Sequence, residues 1–221
     1  MLILLVLRIV TESRILAANN EIADRNRRAF LDAGVIAVNI MGAPGAGKTT
    51  LIEALIRETV GRRRLAVIEG DLATTHDAER LASFGIPVVQ IHTRDKCHLD
   101  AGLVASAIEG LTLAALDVLL IENVGNLICP ASFRLGEHVR LVVLSATEGD
   151  DKVAKYPPMF QRCDAVAVTK ADLLPYVTFD AARVRNEVRR LAPLARVFEV
   201  SARTGAGVAR LADWLFALRP A

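Results

Sequence analysis

One short stretch, Gly42-Ala43-Pro44-Gly45-Ala46-Gly47-Lys48-Thr49-Thr50, narrows the possible folds of this chain more than any other. It has the spacing G-x-x-x-x-G-K-[ST], that of a phosphate-wrapping P-loop. Glycines let the backbone curl until successive N–H groups face inward at phosphate oxygens. Lys48 supplies a point charge for the β- and γ-phosphates, and the Thr49 hydroxyl is placed to ligate Mg²⁺. Gly42, Gly45, Ala46, Gly47, Lys48, Thr49 and Thr50 are therefore candidate nucleotide contacts, with Lys48 also a candidate catalytic group. Such a loop belongs between the end of a strand and the start of a helix, whose positive dipole end meets the phosphates. Both are legible: the apolar run Val35 to Met41 reads as the strand, and Leu51 to Thr59 as the helix.

The rest of the chain repeats that unit. Strands are expected at Leu65 to Glu69, Pro87 to Ile91, Val118 to Ile121, Val139 to Leu144, Ala165 to Thr169 and Val197 to Val200. Helices are expected at Asp77 to Phe84, His98 to Leu111, Phe179 to Leu191 and Ala206 to Leu218. Alternation of this kind predicts an α/β chain: a three-layer P-loop NTPase fold with a mostly parallel sheet. At 221 residues, 52% of them hydrophobic, there is material for one well-buried domain over 34–221 and an extension over 1–33.

Within that extension, Thr11 to Ala33 has helical spacing. Ile15, Leu16, Ile22, Phe30 and Leu31 are set against charges at Glu12, Arg14, Glu21, Asp24, Arg25, Arg27 and Arg28, so an N-terminal amphipathic helix is predicted. Met1 to Leu7 is apolar but shorter than the roughly 20 residues of a membrane span. It lacks the flanks of a secretory signal, and reads as a first strand or a docking segment. Lys plus Arg number 27 against 25 acids, and aromatics make up 5%, so neither nucleic acid nor a membrane is an expected partner. Three cysteines give no disulfide framework and fit a reducing, cytoplasmic setting.

Two strands run into acid. Leu65-Ala66-Val67-Ile68 precedes Glu69-Gly70-Asp71, and Val118-Leu119-Leu120-Ile121 precedes Glu122-Asn123-Val124-Gly125. Ligands of open α/β sheets sit beyond the carboxyl ends of the strands. There Asp71 and Glu122 are candidates to hold Mg²⁺ together with Thr49, or to orient the water that attacks the γ-phosphate. Capping of the next helix is the plainer alternative, and the sequence does not choose which acid orients the water. Gly125 is placed to offer its N–H to the γ-phosphate, which would make the segment after it a nucleotide switch.

The strand Ala165 to Val168 leads into Thr169-Lys170-Ala171-Asp172, which resembles the guanine-reading [NT]-K-x-D of GTPases. The Asp172 carboxylate can accept two hydrogen bonds from guanine N1–H and its exocyclic amine, a donor pair adenine lacks. The stem of Lys170 would lie over the purine. Ser201-Ala202-Arg203 follows where the S-A-K loop closes over the base edge. GTP, not ATP, is the expected nucleotide.

Cys97 and His98 are adjacent, and Cys129 lies seven residues after Glu122 on the suspected switch. Two thiolates and an imidazole suit Ni²⁺ or Zn²⁺. Two packed thiols and a satisfied histidine are the alternative. Cys163 precedes a core strand and reads as packing, and His76, His92 and His138 as surface or core residues.

Taken together, these motifs resemble those of the HypB family, SIMIBI-type P-loop GTPases that help insert nickel into [NiFe]-hydrogenase. The resemblance starts near Arg14. It is carried by Ala17-Ala18-Asn19-Asn20-Glu21-Ile22-Ala23, the P-loop, Glu69-Gly70-Asp71, Cys97-His98-Leu99-Asp100-Ala101 and Ile121 to Phe133, then by Thr147-Glu148-Gly149-Asp150-Asp151-Lys152 and Thr169 to Tyr176. It implies a GTPase that dimerises on GTP, with Cys97, His98 and Cys129 as the metal site at or near the dimer interface. It further implies a HypA-type metallochaperone and the hydrogenase large subunit as partners. The cysteine- or histidine-rich N-terminal nickel motifs of many relatives do not occur in Met1 to Ser13. With no arginine finger identifiable, turnover is expected to be slow. Loss of the γ-phosphate would relax Glu122 to Cys129 and release Ni²⁺. A urease-type nickel GTPase, whose motif is Cys-Pro-His, and a metal-independent GTP-switched docking chaperone are the competing readings.

Overall fold

The computed structural model describes residues 2–71, 75–93 and 96–219, with side chains from Arg14 onward except that of Asp71. Helix α1 (Leu2–Ala33) leads through Gly34 into β1 (Ile36–Gly42), and the P-loop then delivers α2 (Lys48–Thr59). Next come β2 (Leu65–Asp71), α3 (His76–Ala82), β3 (Val88–His92), α4 (Ala101–Ile108) and β4 (Val118–Glu122). The second half holds β5 (Val139–Ser145), the short α5 (Lys152–Lys155) and α6 (Pro157–Phe160), and β6 (Ala165–Thr169). It closes with α7 (Ala181–Leu191), β7 (Arg196–Glu199) and α8 (Val208–Ala217).

All seven strands pair in parallel, in the order β3-β2-β4-β1-β5-β6-β7. The sheet expected to be mostly parallel is therefore wholly so among the described strands. A parallel sheet needs both faces covered, and every residue of β1, β4, β5 and β6 is buried. One face packs Ile36, Val38, Ile40 and Val143 against Leu51, Leu55, Leu211 and Leu215 of α2 and α8. The other is covered in two parts. Phe30 of α1 and Val104 of α4 lie over β1, β2 and β4, while Val184 and Val188 of α7 lie with Phe160 over β5 and β6. Fully burying each such side chain contributes roughly 1.5–3 kcal/mol.

Helix α1 departs from expectation twice. Leu2 to Leu7 are helical and not a strand, because no glycine or proline separates them from the helix that follows. Among the described side chains, moreover, its buried stripe is Asn19, Ala23, Asn26 and Phe30, whereas Ile15 is 55% exposed. The polar members are buried because backbone at the start of α4 and in the loop before β5 satisfies them. Asn19 accepts from Ala101 N (2.8 Å) and donates to Arg134 O (2.8 Å). Asn26 donates to Ala101 O and Leu135 O, both at 2.9 Å.

Candidate nucleotide and metal site

Every strand ends on the same edge of the sheet, and the P-loop rises from the middle of it. Gly42 passes so near β5 that a Cβ there would lie 2.4 Å from the Val143 carbonyl oxygen. Gly47 starts α2 from the left-handed region, at φ +87°, which favours glycine. Lys48 is buried and donates to Ala43 O at 3.3 Å. Burial lowers its pKa, against Glu122, Glu148, Asp77 and Glu69, whose charges raise it.

The Thr49 hydroxyl lies between two carboxylates, with Glu122 Oε1 at 2.8 Å and Asp77 Oδ2 at 3.2 Å. Hard oxygens converging on one hydroxyl form the donor set that Mg²⁺ takes. Sequence reasoning missed Asp77, although its place in the first turn of the helix after a sheet-edge carboxylate was a usable signal. Asp77 is held by Arg80 (2.7 Å), which also pairs with Glu53 (2.8 Å). The Asp71 side chain lies outside the described residues. Glu69, 2% exposed, lines the same cavity as Lys48, Thr49, Glu122, Asn123 and Gly125. Gly125 packs on the P-loop closely enough that a Cβ would come within 3.0 Å of Pro44.

A second, more apolar slot adjoins this cavity, sharing Gly47, Thr50 and Lys170 with it and adding Thr169, Asp172, Leu173, Ala202 and Arg203. Lys170 adopts φ +54°, the left-handed region that a lysine rarely occupies. From there its Nζ donates to Gly45 O at 3.0 Å, drawing its stem across the slot. Thr169 donates to Ala46 O at 2.6 Å and so ties the end of β6 to the P-loop. Asp172 accepts from Ser201 Oγ at 2.6 Å and pairs with Arg203 Nε at 3.2 Å. The Ser201 bond, with a smaller contribution from Arg203, lowers its pKa and keeps it an acceptor.

Cys97 and His98 were expected to open a helix. They lie instead on the loop before α4, because extended Asp100 caps that helix by accepting from Leu103 N at 2.9 Å. Across from them Cys129 starts a single 3-10 turn. The Cys97 and Cys129 sulfurs are 2.7 Å apart with both thiols free, and Cys97 Sγ is 3.7 Å from His98 Nδ1. The atoms of Cys97, His98 and Cys129 that could bind a metal all fall within 4.8 Å of one another. Phe133 stacks on the His98 ring, centroids 4.0 Å apart. Burial lowers the His98 pKa, which favours the neutral ring that can donate a lone pair. The Cys129 pKa is raised, first by the Cys97 thiol beside it and then by burial. His76 and His92 are exposed and outside this cluster, and Cys163 is buried, its thiol pushed up to about 12 mainly by burial.

Comparison with known proteins gives the family of the chain. Residues 36–199 match the family model described as CobW/HypB/UreG, nucleotide-binding domain. The probable hydrogenase maturation factor HypB of Methanocaldococcus jannaschii is 44% identical over 201 residues, 91% of this chain and 91% of the relative. This chain belongs to the HypB family. The hydrogenase maturation factor HypB of Azotobacter vinelandii is 46% identical, over 92% of the chain and 67% of the relative. The crystal structure of HypB from Helicobacter pylori in complex with nickel superimposes with a TM-score of 0.87 at 38% identity, covering 90% of this chain and 94% of that one. A signal recognition particle receptor, FtsY from Elizabethkingia anophelis, shares the fold at a TM-score of 0.56 and 16% identity. No helix among the described residues of this HypB-family chain is long and apolar enough to cross a membrane.

Proposed function

We propose that this chain is a GTP-hydrolysing nickel carrier of hydrogenase maturation, in which nucleotide state governs how tightly the ion is held. The observation that carries the reading is that Cys97 and His98 meet Cys129, which lies on a segment that begins at Glu122, a residue bonded to the P-loop threonine. Lys48 and the loop amides hold the phosphates, Asp172 reads guanine, Lys170 covers the base, and Ser201, Ala202 and Arg203 close the slot. Thr49, Glu122 and Asp77 would hold Mg²⁺, which supplies charge neutralisation to the phosphate oxygens, and Asp71 remains a further candidate for that shell. Asp71 or Glu122 orients the attacking water, and Gly125 offers its N–H to the γ-phosphate.

Nickel is the cargo, with Zn²⁺ able to use the same donors. Three protein ligands leave a position for a further donor, which a second protomer in a GTP-dependent homodimer can supply. A HypA-type metallochaperone and the hydrogenase large subunit are the partners this role calls for, acting in the cytoplasm. The test is nickel binding by the wild type beside Cys97→Ala and Cys129→Ala. Stoichiometry should collapse in both variants, and equal binding in all three proteins would remove the metal from the reading.

A further inference from the structure

Leu99 stands next to the ligand His98 and is fully buried. Its side chain presses on Gly70, where a Cβ would meet it at 2.9 Å, and Gly70 lines the phosphate cavity. The Leu99 N–H donates to Asn123 Oδ1 at 3.0 Å. That oxygen also accepts from Val124 N at 3.0 Å, while Asn123 Nδ2 donates to Asn39 Oδ1 on β1 at 3.2 Å. Asn123 is 1% exposed and stands between Glu122, bonded to Thr49, and Gly125, packed on Pro44.

One buried amide thus belongs to the segment facing the phosphates and grips the segment carrying Cys97 and His98. Two residues beyond Leu99, that second segment is anchored on its other side, at Ala101, by Asn19 and Asn26 of α1. Asn19 and Asn26 also hold Arg134 and Leu135, beyond Cys129. The α1 contacts therefore hold one side of the cluster, whereas Asn123, bonded to β1 and facing the phosphate cavity, holds the other. A buried donor cannot be left unmade without penalty, so Leu99 has to follow Asn123 when residues 122–125 shift.

We propose that Asn123 is the positioning residue through which nucleotide state sets the geometry of the Cys97, His98 and Cys129 cluster, an inference that rests on the nickel-carrier reading above. Ni²⁺ is titrated, by thiolate charge-transfer absorbance, into protein loaded with GDP or with a non-hydrolysable GTP analogue. Wild type, Asn123→Ala and Asn19→Ala are compared.

The wild-type affinities in the two states should differ on the order of tenfold. Asn123→Ala should bring that ratio close to unity. Asn19→Ala should weaken binding in both states alike and keep the ratio. A wild-type ratio of unity overturns the coupled-carrier reading and this inference with it. A wild-type ratio retained in Asn123→Ala overturns the inference alone. Should Asn123→Ala not fold, hydrogen exchange at the Leu99 amide of the wild type decides. Protection that differs between the two nucleotide states supports the route, and identical protection overturns it.

Discussion

Thr169 illustrates what a motif can and cannot say about a single residue. As the first letter of [NT]-K-x-D it marks the loop proposed to read the base, yet its hydroxyl is spent on Ala46 O in the P-loop. That long-range bond, between residues 123 positions apart, is not visible in local pattern. Asp172 was legible as a candidate, because the motif sets a carboxylate there, and it lines the slot beside the phosphate cavity. Asp172→Ala should weaken GTP by about 100-fold or more, the loss of two hydrogen bonds to a charged acceptor, and should admit ATP in competition against labelled GTP. The cysteines sort equally sharply. Alkylation of native protein at mildly alkaline pH should label Cys97 and Cys129, which are partly exposed, and leave Cys163 untouched until the chain is unfolded. Peptide mass mapping reads the outcome, and early labelling of Cys163 would contradict its burial.

At the scale of elements, periodicity recovered the strands well and the character of α1 poorly. Hydrophobic spacing identifies an apolar face, and α1 buries Asn19 and Asn26 at the same helical interval as Ala23 and Phe30. Their partners are backbone carbonyls and an amide more than 70 residues away, and sequence cannot pair them. Asp77 was missed for a related reason. Its place in the first turn of a helix after a sheet-edge carboxylate was a hint, but its bond to Thr49 depends on α3 returning beside the start of α2, which local pattern does not encode. The β1–β5 seam gives a stability prediction at this scale. Gly42→Ala would drive a Cβ to 2.4 Å from a backbone oxygen that cannot swing away. A loss of about 3 kcal/mol or more is expected in denaturant titration, along with impaired nucleotide binding.

Across the whole molecule, acid should loosen the fold in a way one histidine reports. His138 Nδ1 accepts from Ala37 N at 3.1 Å, and its pKa is lowered to about 4, by burial first and then by Arg27. An unfolded histidine titrates near 6.5, so the unfolded chain takes the proton first and stability falls as pH drops from about 6.5 toward 4. The ring is only half-buried, which discounts its share to about 1 kcal/mol. His138→Gln, compared with wild type at pH 7 and at pH 5, should lose less stability on acidification.

The strand order carries a final consequence. The phosphate loop springs from β1, with β4, β2 and β3 on one side of it and β5, β6 and β7 on the other. The base slot is built beyond the ends of β6 and β7, and the thiols and imidazole lie beyond β3 and β4. On the proposed reading, choice of purine and choice of ion are thus inherited from opposite wings of one sheet, and substitution in one wing should rewrite its selectivity while the other is kept.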